Sequence, residues 1–425
     1  MHFAHLLLIY KIIHVIIGVG TLKNNLQIQG GFFMIVKPKT RGFICTTAHP
    51  TGCKKIVENQ IEYAKKNVSD TGCKKVLIIG ASMGYGLSSR VAAAYSCGAS
   101  TLGVIFDKPG LETKTGTAGW YNTAAFEEIA HADNLYAKTI NGDAFSAEIK
   151  AKTIEMIKKD LGKVDMVIYS LAAPKRIAAD GTIYSSVLKT TDKDYTNKTI
   201  DLKDNSIKEV TITPATDDEI MNTVKVMGGE DWKDWISALV QADAIEKNAV
   251  TIAFSYLGPE LTHPMYYKGT IGKAKEHLFN TSKEITKEYS GIKAYISVNK
   301  ALVTQSSSAI PIVPLYIAIL YKIMKKQGTH EGCIEQMVRL FTDKLKKDSA
   351  VTDDQGMIRL DDLEMKPEIQ DEVLKIWNTI DNGNVNESAD IEGYWDDFFS
   401  LFGFGAKEID YQEDVNPVYN ISSIE

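Results

Sequence analysis

A short apolar run, Lys75–Ile79 (KVLII), leads straight into the glycine-rich segment GASMGYGLSSR, and this junction limits the possible folds more than any other feature of the chain. A run of that length suits a strand buried on both faces, and the residues after the glycines read as a helix through Ala94. Gly80, Gly84 and Gly86 follow the spacing G-x3-G-x-G. Glycines at such a corner allow a tight turn and close approach of backbone to a pyrophosphate, while the helix start offers free N–H groups. The segment is either a plain structural turn or a dinucleotide cradle built from Gly80, Ala81, Ser82, Met83, Gly84, Tyr85 and Gly86. The strand before it, the helix after it and the βαβ length favour the cradle.

The pattern then repeats. Residues 56–66 read as a helix, Thr101–Phe106 as a second strand, 123–131 as a helix, and a third strand reaches Ile140. A helix over 146–161 leads to the apolar strand Val164–Tyr169. Such alternation predicts an α/β fold with a Rossmann-like, doubly wound parallel sheet. Residues 183–215, rich in Thr, Tyr, Val and Ile with an Asp204-Asn205 turn, predict an inserted β-hairpin near the active site. Helices over 217–226, 231–247 and 270–289 alternate with strands at 250–255 and 292–298, and 312–425 is mainly helical with a Trp/Phe-rich tail. The tail reads as core or as a wall of the substrate pocket. No internal repeat or linker interrupts 34–425, which predicts a single catalytic domain.

A net charge of -6 and the absence of a polybasic run argue against nucleic-acid or stable membrane partners. Five cysteines (Cys45, Cys53, Cys73, Cys97, Cys333), odd in number and irregularly spaced, suit reduced thiols in a cytoplasm. Residues 1–33 depart from this picture. Phe3–Gly20 is apolar, broken by Lys11, His5 and His14, but lacks a basic start and a small-residue cleavage site. Gly30-Gly31 stand just ahead of Met34, where glycine codons can encode a purine-rich ribosome-binding sequence. Met34 is therefore the expected start, and 1–33 a non-native leader.

Loops at the carboxyl ends of strands bind ligands in open α/β sheets. Phe106-Asp107 ends the second strand, and a carboxylate there accepts from ribose hydroxyls and repels a 2′-phosphate. Asp107 thus favours NADH over NADPH, although the adjacent Lys108 pulls the other way and a solvated loop aspartate is the alternative. Asp143-Ala144 is placed for adenine, and Ser170-Leu171-Ala172 for the nicotinamide ribose. Hydride chemistry at a carbonyl compound further needs an acid with a supporting cation, which Tyr and Lys supply. Tyr289–Lys293 straddles Gly291, and Tyr321–Lys325 lies far beyond the early strands, so both Tyr-x3-Lys matches read as chance. Tyr266, just before a helix, and Lys275, on it, form the better pair if the chain bends at Gly269 or Gly272; Tyr256 offers a second hydroxyl. A tyrosine merely packed at a helix start is the alternative. Cys45, His49 and Cys53 lack a fourth ligand for structural zinc, so no metal is expected. The scattered His131, His263, His277 and His330 give no hydrolase triad.

RGFICTTAHPTGC, GASMGYGLSSR, TGTAGWYNTAAF, GDAFS, YSLAAP, VMGGEDW, the Tyr-x8-Lys of YYKGTIGKAK, LVTQSSSAIP and GTHEGCIEQM together resemble the FabV-type enoyl reductases, also called trans-2-enoyl-CoA reductases. The resemblance runs from Met34 nearly to the end, through LFGFG and DYQEDV, and the Tyr-x8-Lys spacing is specific to the group. It implies NADH-dependent reduction of a trans-2-enoyl thioester carried on CoA or acyl carrier protein, in fatty acid metabolism. On that reading Tyr266 is proton donor and oxyanion partner, Lys275 contacts the cofactor, and Tyr256 holds the substrate carbonyl. Asp107 selects NADH, and Val303, Thr304 and Gln305 line the nicotinamide pocket. The N-terminal extension departs from the family, as does Met83, which stands where a small residue is usual. A flavin, linked to this family's C-terminal region by name, finds no second phosphate loop here. Rival readings are a short-chain-type carbonyl reductase, which needs a rejected Tyr-x3-Lys pair, and a non-catalytic NADH sensor, which needs neither Tyr266 nor Lys275. A monomer is expected.

Overall fold

The computed structural model describes residues 33–41, 44–347 and 349–424. The leader expectation for 1–33 therefore lies outside the described residues, Phe33 aside. The first helix, α1 (Pro50–Lys65), starts where the His49 ring accepts the Gly52 N–H at 3.1 Å. Strand β1 (Lys75–Ile79) follows, with Val76, Leu77, Ile78 and Ile79 completely buried. Val76 and Ile78 enter the core on one face of the sheet, Leu77 and Ile79 the core on the other. Two-sided burial is why this strand reads as an unbroken apolar run; each such side chain contributes about 1.5–3 kcal/mol.

The chain continues through α2 (Gly84–Tyr95), β2 (Ser100–Ile105), α3 (Ala118–Ala132), β3 (Ala137–Asn141), α4 (Ala147–Met156) and β4 (Val164–Tyr169). Strands β5 (Lys175–Ile177), β6 (Ile183–Ser185), β7 (Tyr195–Asp201) and β8 (Ser206–Ile212) precede α5 (Asp217–Met227), α6 (Glu230–Gln241) and β9 (Ile245–Ser255). The one-turn α7 (His263–Tyr266), α8 (Thr270–Glu288), β10 (Lys293–Val298), α9 (Val313–Gln327) and α10 (Cys333–Arg339) come next. A short β11 (Ile358–Arg359), α11 (Pro367–Thr379) and α12 (Ile391–Ser400) follow.

The main sheet has the order β11-β10-β9-β4-β1-β2-β3, parallel throughout. This is the doubly wound Rossmann-like arrangement that the alternation implies, with its switch point between β1 and β4. Two details differ from the sequence reading. Within 183–215 the hairpin is β7–β8 alone, because β6 pairs back to β5 with Ile177 opposite Ile183. The helix read over 231–247 stops at Gln241, since Asp243 adopts a left-handed φ of 54° and the polar start of β9 bulges before Val250. The C-terminal helices are not a separate layer: α9 is buried nearly all round, packed by α11, α12 and β7.

Arg90, on α2, ties the first half of the sheet together. Fully buried, it donates to Thr101 Oγ1 (3.3 Å), Thr139 Oγ1 (2.9 Å) and the Lys138 carbonyl (2.7 Å), with Glu127 Oε1 at 3.7 Å. Arg90→Met leaves the equally buried Glu127 without its counter-charge, an uncompensated charge that costs roughly 3–5 kcal/mol. Urea unfolding is expected to show that loss; a change below about 1 kcal/mol would mean Glu127 is satisfied by Ser422, Ser423 and Thr139 alone.

Candidate active site

The carboxyl ends of β1, β4, β9 and β10 open into one cavity of about 550 Å³, inside the usual small-molecule range of about 300–1,000 Å³. Its floor is set by glycines. A Cβ at Gly80, whose φ is +86°, would meet the Ser170 carbonyl oxygen at 2.4 Å, and one at Gly86 would meet the Gly80 oxygen at 1.9 Å. Side chains there would push α2 out of the crevice. Gly84 differs: nothing lies within 4 Å of its missing Cβ, so the helix start faces open space. Gly80, Ser82, Met83, Gly84 and Tyr85 line the cavity. Ala81 and Gly86 shape the turn from behind; Ala81 is buried and its N–H donates to the Val104 carbonyl.

Beyond this turn, Phe106 is 78% exposed at the cavity edge. Asp107 Oδ1 accepts from Thr117 Oγ1 at 2.7 Å, while its buried Oδ2 has no partner within hydrogen-bond distance among the described residues. Burial raises this carboxyl above its ordinary value. A Cβ on Gly119 would strike both carboxylate oxygens at 2.5 Å, so the glycine of TGTAGW makes room for Asp107 at the start of α3. Asp143, Ala144, Ser170, Leu171 and Ala172 line the same cavity. An orphaned acceptor at the end of β2 and an open glycine at a helix start fit the ribose and pyrophosphate of a dinucleotide.

At the other end stand Tyr256, Tyr266 and Lys275. The chain turns from α7 into α8 at Gly269, and a Cβ on Gly272 would meet the Tyr267 carbonyl at 2.3 Å. Glycine there lets α8 run close under α7, which brings Tyr266 and Lys275 to one cavity despite their spacing. Lys275 Nζ donates to the Phe254 carbonyl at 3.0 Å, and burial lowers its ammonium to about 8. The rings of Tyr256 and Tyr266 meet edge to face at 4.6 Å. Among the described residues the Tyr266 hydroxyl has no hydrogen-bond partner, and burial raises its pKa, so it keeps its proton. Thr304 and Gln305 line the cavity. Val303 does not; it faces a neighbouring cavity of about 180 Å³, and its N–H donates to Tyr321 Oη.

Tyr321 is fully buried and donates to Asp397 at 2.7 Å, outside the main cavity. Tyr289 ends α8 and Lys293 starts β10, so neither Tyr-x3-Lys match forms a pair facing the cavity. His49 is taken up in capping α1, and Cys53 packs against Gly403. Sequence reasoning missed Lys300 and Glu364. Lys300, 2% exposed, donates to its neighbour's carbonyl and has its ammonium lowered to about 8 by burial. Glu364, completely buried, accepts from Tyr256 Oη (2.9 Å), Tyr316 Oη (2.6 Å) and the Ala301 N–H (2.7 Å). In LDDLEMKPE it reads as part of a solvated charge run; its flanking Leu363 and Met365 are the only hint of burial.

The fold and this cavity define a dinucleotide-dependent oxidoreductase of the Rossmann class, with a tyrosine–lysine pair at its reactive end. Residues 35–112 match the "NAD(P)H binding domain of trans-2-enoyl-CoA reductase" and 114–346 the "Trans-2-enoyl-CoA reductase catalytic region". The chain belongs to the trans-2-enoyl-CoA reductase family. It is 55% identical to "Trans-2-enoyl-CoA reductase [NADH]" of Ruminiclostridium cellulolyticum over 92% of this chain and 100% of that one. It is 53% identical to "Enoyl-[acyl-carrier-protein] reductase [NADH]" of Flavobacterium psychrophilum, again over 92% of this chain and 100% of that one. The crystal structure of Treponema denticola trans-2-enoyl-CoA reductase in complex with NAD superposes with a TM-score of 0.88 at 47% identity, covering 91% of this chain and 100% of that one.

Residues 352–415 match an "Enoyl reductase FAD binding domain". They do not fit a flavin. Trp377, Phe398, Phe402 and Phe404 are buried in the common core, Trp395 stacks on Phe399 at 5.5 Å, and Gly403 lies against the His49 carbonyl. The rings and the glycine turn are taken up by packing.

The electrostatics predict that two lysines titrate near 8 in the ligand-free protein, well below the ordinary lysine value. NMR of lysine side chains is expected to show both, with one lost in Lys275→Met. Midpoints at the ordinary value would mean the cavity is wetter than its geometry.

Proposed function

We propose that the cavity takes NADH along the β1–β4 crevice and a trans-2-enoyl thioester against Tyr266, and that the chain saturates the C2–C3 double bond. The observation that carries this reading is the hydroxyl of the buried Tyr266, protonated and without a partner among the described residues, in one cavity with Lys275. NADH, when bound, supplies the hydride to the β-carbon. Tyr266 donates to the thioester oxygen as enolate charge builds, with Tyr256 as a second hydroxyl there. One such preorganised donor is worth about 2.7–4 kcal/mol in the transition state. The enolate's α-carbon then takes a proton that comes ultimately from solvent, giving the saturated acyl thioester.

Asp107 Oδ2, unpartnered among the described residues, accepts from an adenosine ribose hydroxyl and repels a 2′-phosphate. Gly84 and the start of α2 face the pyrophosphate, with Ser82, Met83 and Tyr85 alongside. Phe106, Asp143 and Ala144 surround the adenosine end; Ser170, Leu171 and Ala172 flank the nicotinamide ribose. Lys275 holds a ribose hydroxyl, and Thr304 and Gln305, backed by Val303, border the nicotinamide. The relatives carry both CoA and acyl-carrier-protein names, so the substrate proposed is the enoyl thioester common to both, in fatty acid metabolism. Five unpaired cysteines suit the reducing cytoplasm in which we place the chain, as a monomer; no helix among the described residues is long and apolar enough to cross a membrane.

With crotonyl-CoA and NADH, Tyr266→Phe is expected to lower kcat by about a hundredfold or more while NADH still binds. Activity close to wild type would place the acid elsewhere. Asp107→Ala is expected to narrow the preference for NADH over NADPH, read as the ratio of the two kcat/KM values. An unchanged ratio would remove Asp107 from cofactor choice.

A further inference from the structure

Tyr256 has one proton and two claimants for it. On the protein side stands Glu364 Oε1, at 2.9 Å; on the other is the cavity, where the thioester oxygen is proposed to lie. The surroundings of Glu364 decide between them. Its Oε2 accepts the Ala301 N–H at 2.7 Å, so a proton on a neutral Glu364 belongs on Oε1, the oxygen that faces both tyrosines. Tyr316 already accepts from Gln370 Nε2 at 3.1 Å and directs its own proton at Oε1 at 2.6 Å. The remaining acceptor for a Glu364 proton is Tyr256 Oη. A Tyr256 that accepts there has its own hydrogen free for the cavity.

We propose that Glu364 is a positioning residue for the enoyl reduction: protonated, it turns the Tyr256 hydrogen toward the thioester oxygen; ionised, it draws that hydrogen away and leaves Tyr266 as the sole hydroxyl donor. The inference rests on the enoyl-reductase reading above. It also explains why a residue from the C-terminal segment is buried at the reaction end of the cavity. The titratable groups facing Glu364 are Tyr256 after β9, Tyr266 on α7, Tyr316 on α9, Tyr85 on α2 and Lys300 after β10. Burial raises the Glu364 carboxyl, opposed chiefly by Lys300. Lys300 is an ammonium below about 8, and its charge favours the ionised carboxyl against the effect of burial. The active form is the protonated one, so its contribution is present at low pH and lost as pH rises through the Glu364 pKa.

The test is the pH dependence of kcat/KM for crotonyl-CoA with saturating NADH, with any step from Lys275 near 8 set aside. The wild type is expected to step down with rising pH by at least about tenfold, to the level of Tyr256→Phe. Tyr256→Phe is expected to show no step. Glu364→Gln is also expected to show none, because its carbonyl oxygen takes the Ala301 N–H and its amide donates permanently to Tyr256. If the glutamine variant fails to fold, the Tyr256→Phe profile decides alone. A step that survives in either variant, or a wild type that turns over without one, overturns the role of Glu364. A wild type that reduces no enoyl thioester at any pH contradicts the functional reading itself.

Discussion

The near-contact of backbones at Gly80, Gly86 and Ser170 is what the rest of the molecule depends on. With no Cβ at Gly86, α2 begins almost on top of the Gly80 carbonyl, and with none at Gly80 the ends of β1 and β4 close to touching distance. That approach places the start of a helix inside the sheet's switch point, where its N–H groups meet an anion. It also fixes the distance from the cradle to the far wall, because β9 and β10 are laid down beside β4 in register. Tyr256 follows directly from the end of β9, and Lys300 lies two residues beyond the end of β10.

The reactive end is held differently. There the side chains are positioned by burial of polar groups: Lys275 on a backbone carbonyl, Lys300 on another, and Glu364 collecting two tyrosines and an amide. Buried ionisable groups are costly unless hydrogen-bonded, and a fully bonded network is correspondingly rigid. The C-terminal segment matters for this reason. Its helices cover α9, Leu401 reaches the cavity wall, and Glu364 stands behind it, bonded to Tyr256. The segment's packed aromatic rings do the work of a core, with no planar ligand needed to complete them.

Much of this was legible in the sequence. KVLII and the glycines after it are local signals: a two-sided strand has no polar face to hide it, and a turn that needs positive φ at Gly80 and Gly84 must write glycine. Asp107, Asp143 and Ser170 were legible because strand ends are where such a sheet binds ligands. Tyr266 and Lys275 were legible as a pair because Gly269 and Gly272 between them permit a bend, and the family's Tyr-x8-Lys spacing pointed to the same two residues. Glu364 was not legible at all. Its role depends on a meeting of residues from β9, α9 and the loop after β10, and its local context of Asp361, Asp362 and Lys366 looks like solvent-facing charge. The end of α6 was misread for a similar reason: the polar Glu246–Asn248 continue a helical pattern, but Asp243 breaks it with a left-handed backbone.

The central claim is a direct transfer of hydride to the β-carbon of an enoyl thioester, with the protein supplying a proton-donating tyrosine and no second redox group. Turnover of crotonyl-CoA with NADH deuterated at the transferred position of nicotinamide C4, followed by NMR of the butyryl product, tests it most directly. Deuterium retained at the β-carbon, with the α-carbon hydrogen coming from solvent, is the predicted result. Loss of the label to solvent, as exchange through an intermediate carrier would cause, or its arrival at the α-carbon, would contradict the account.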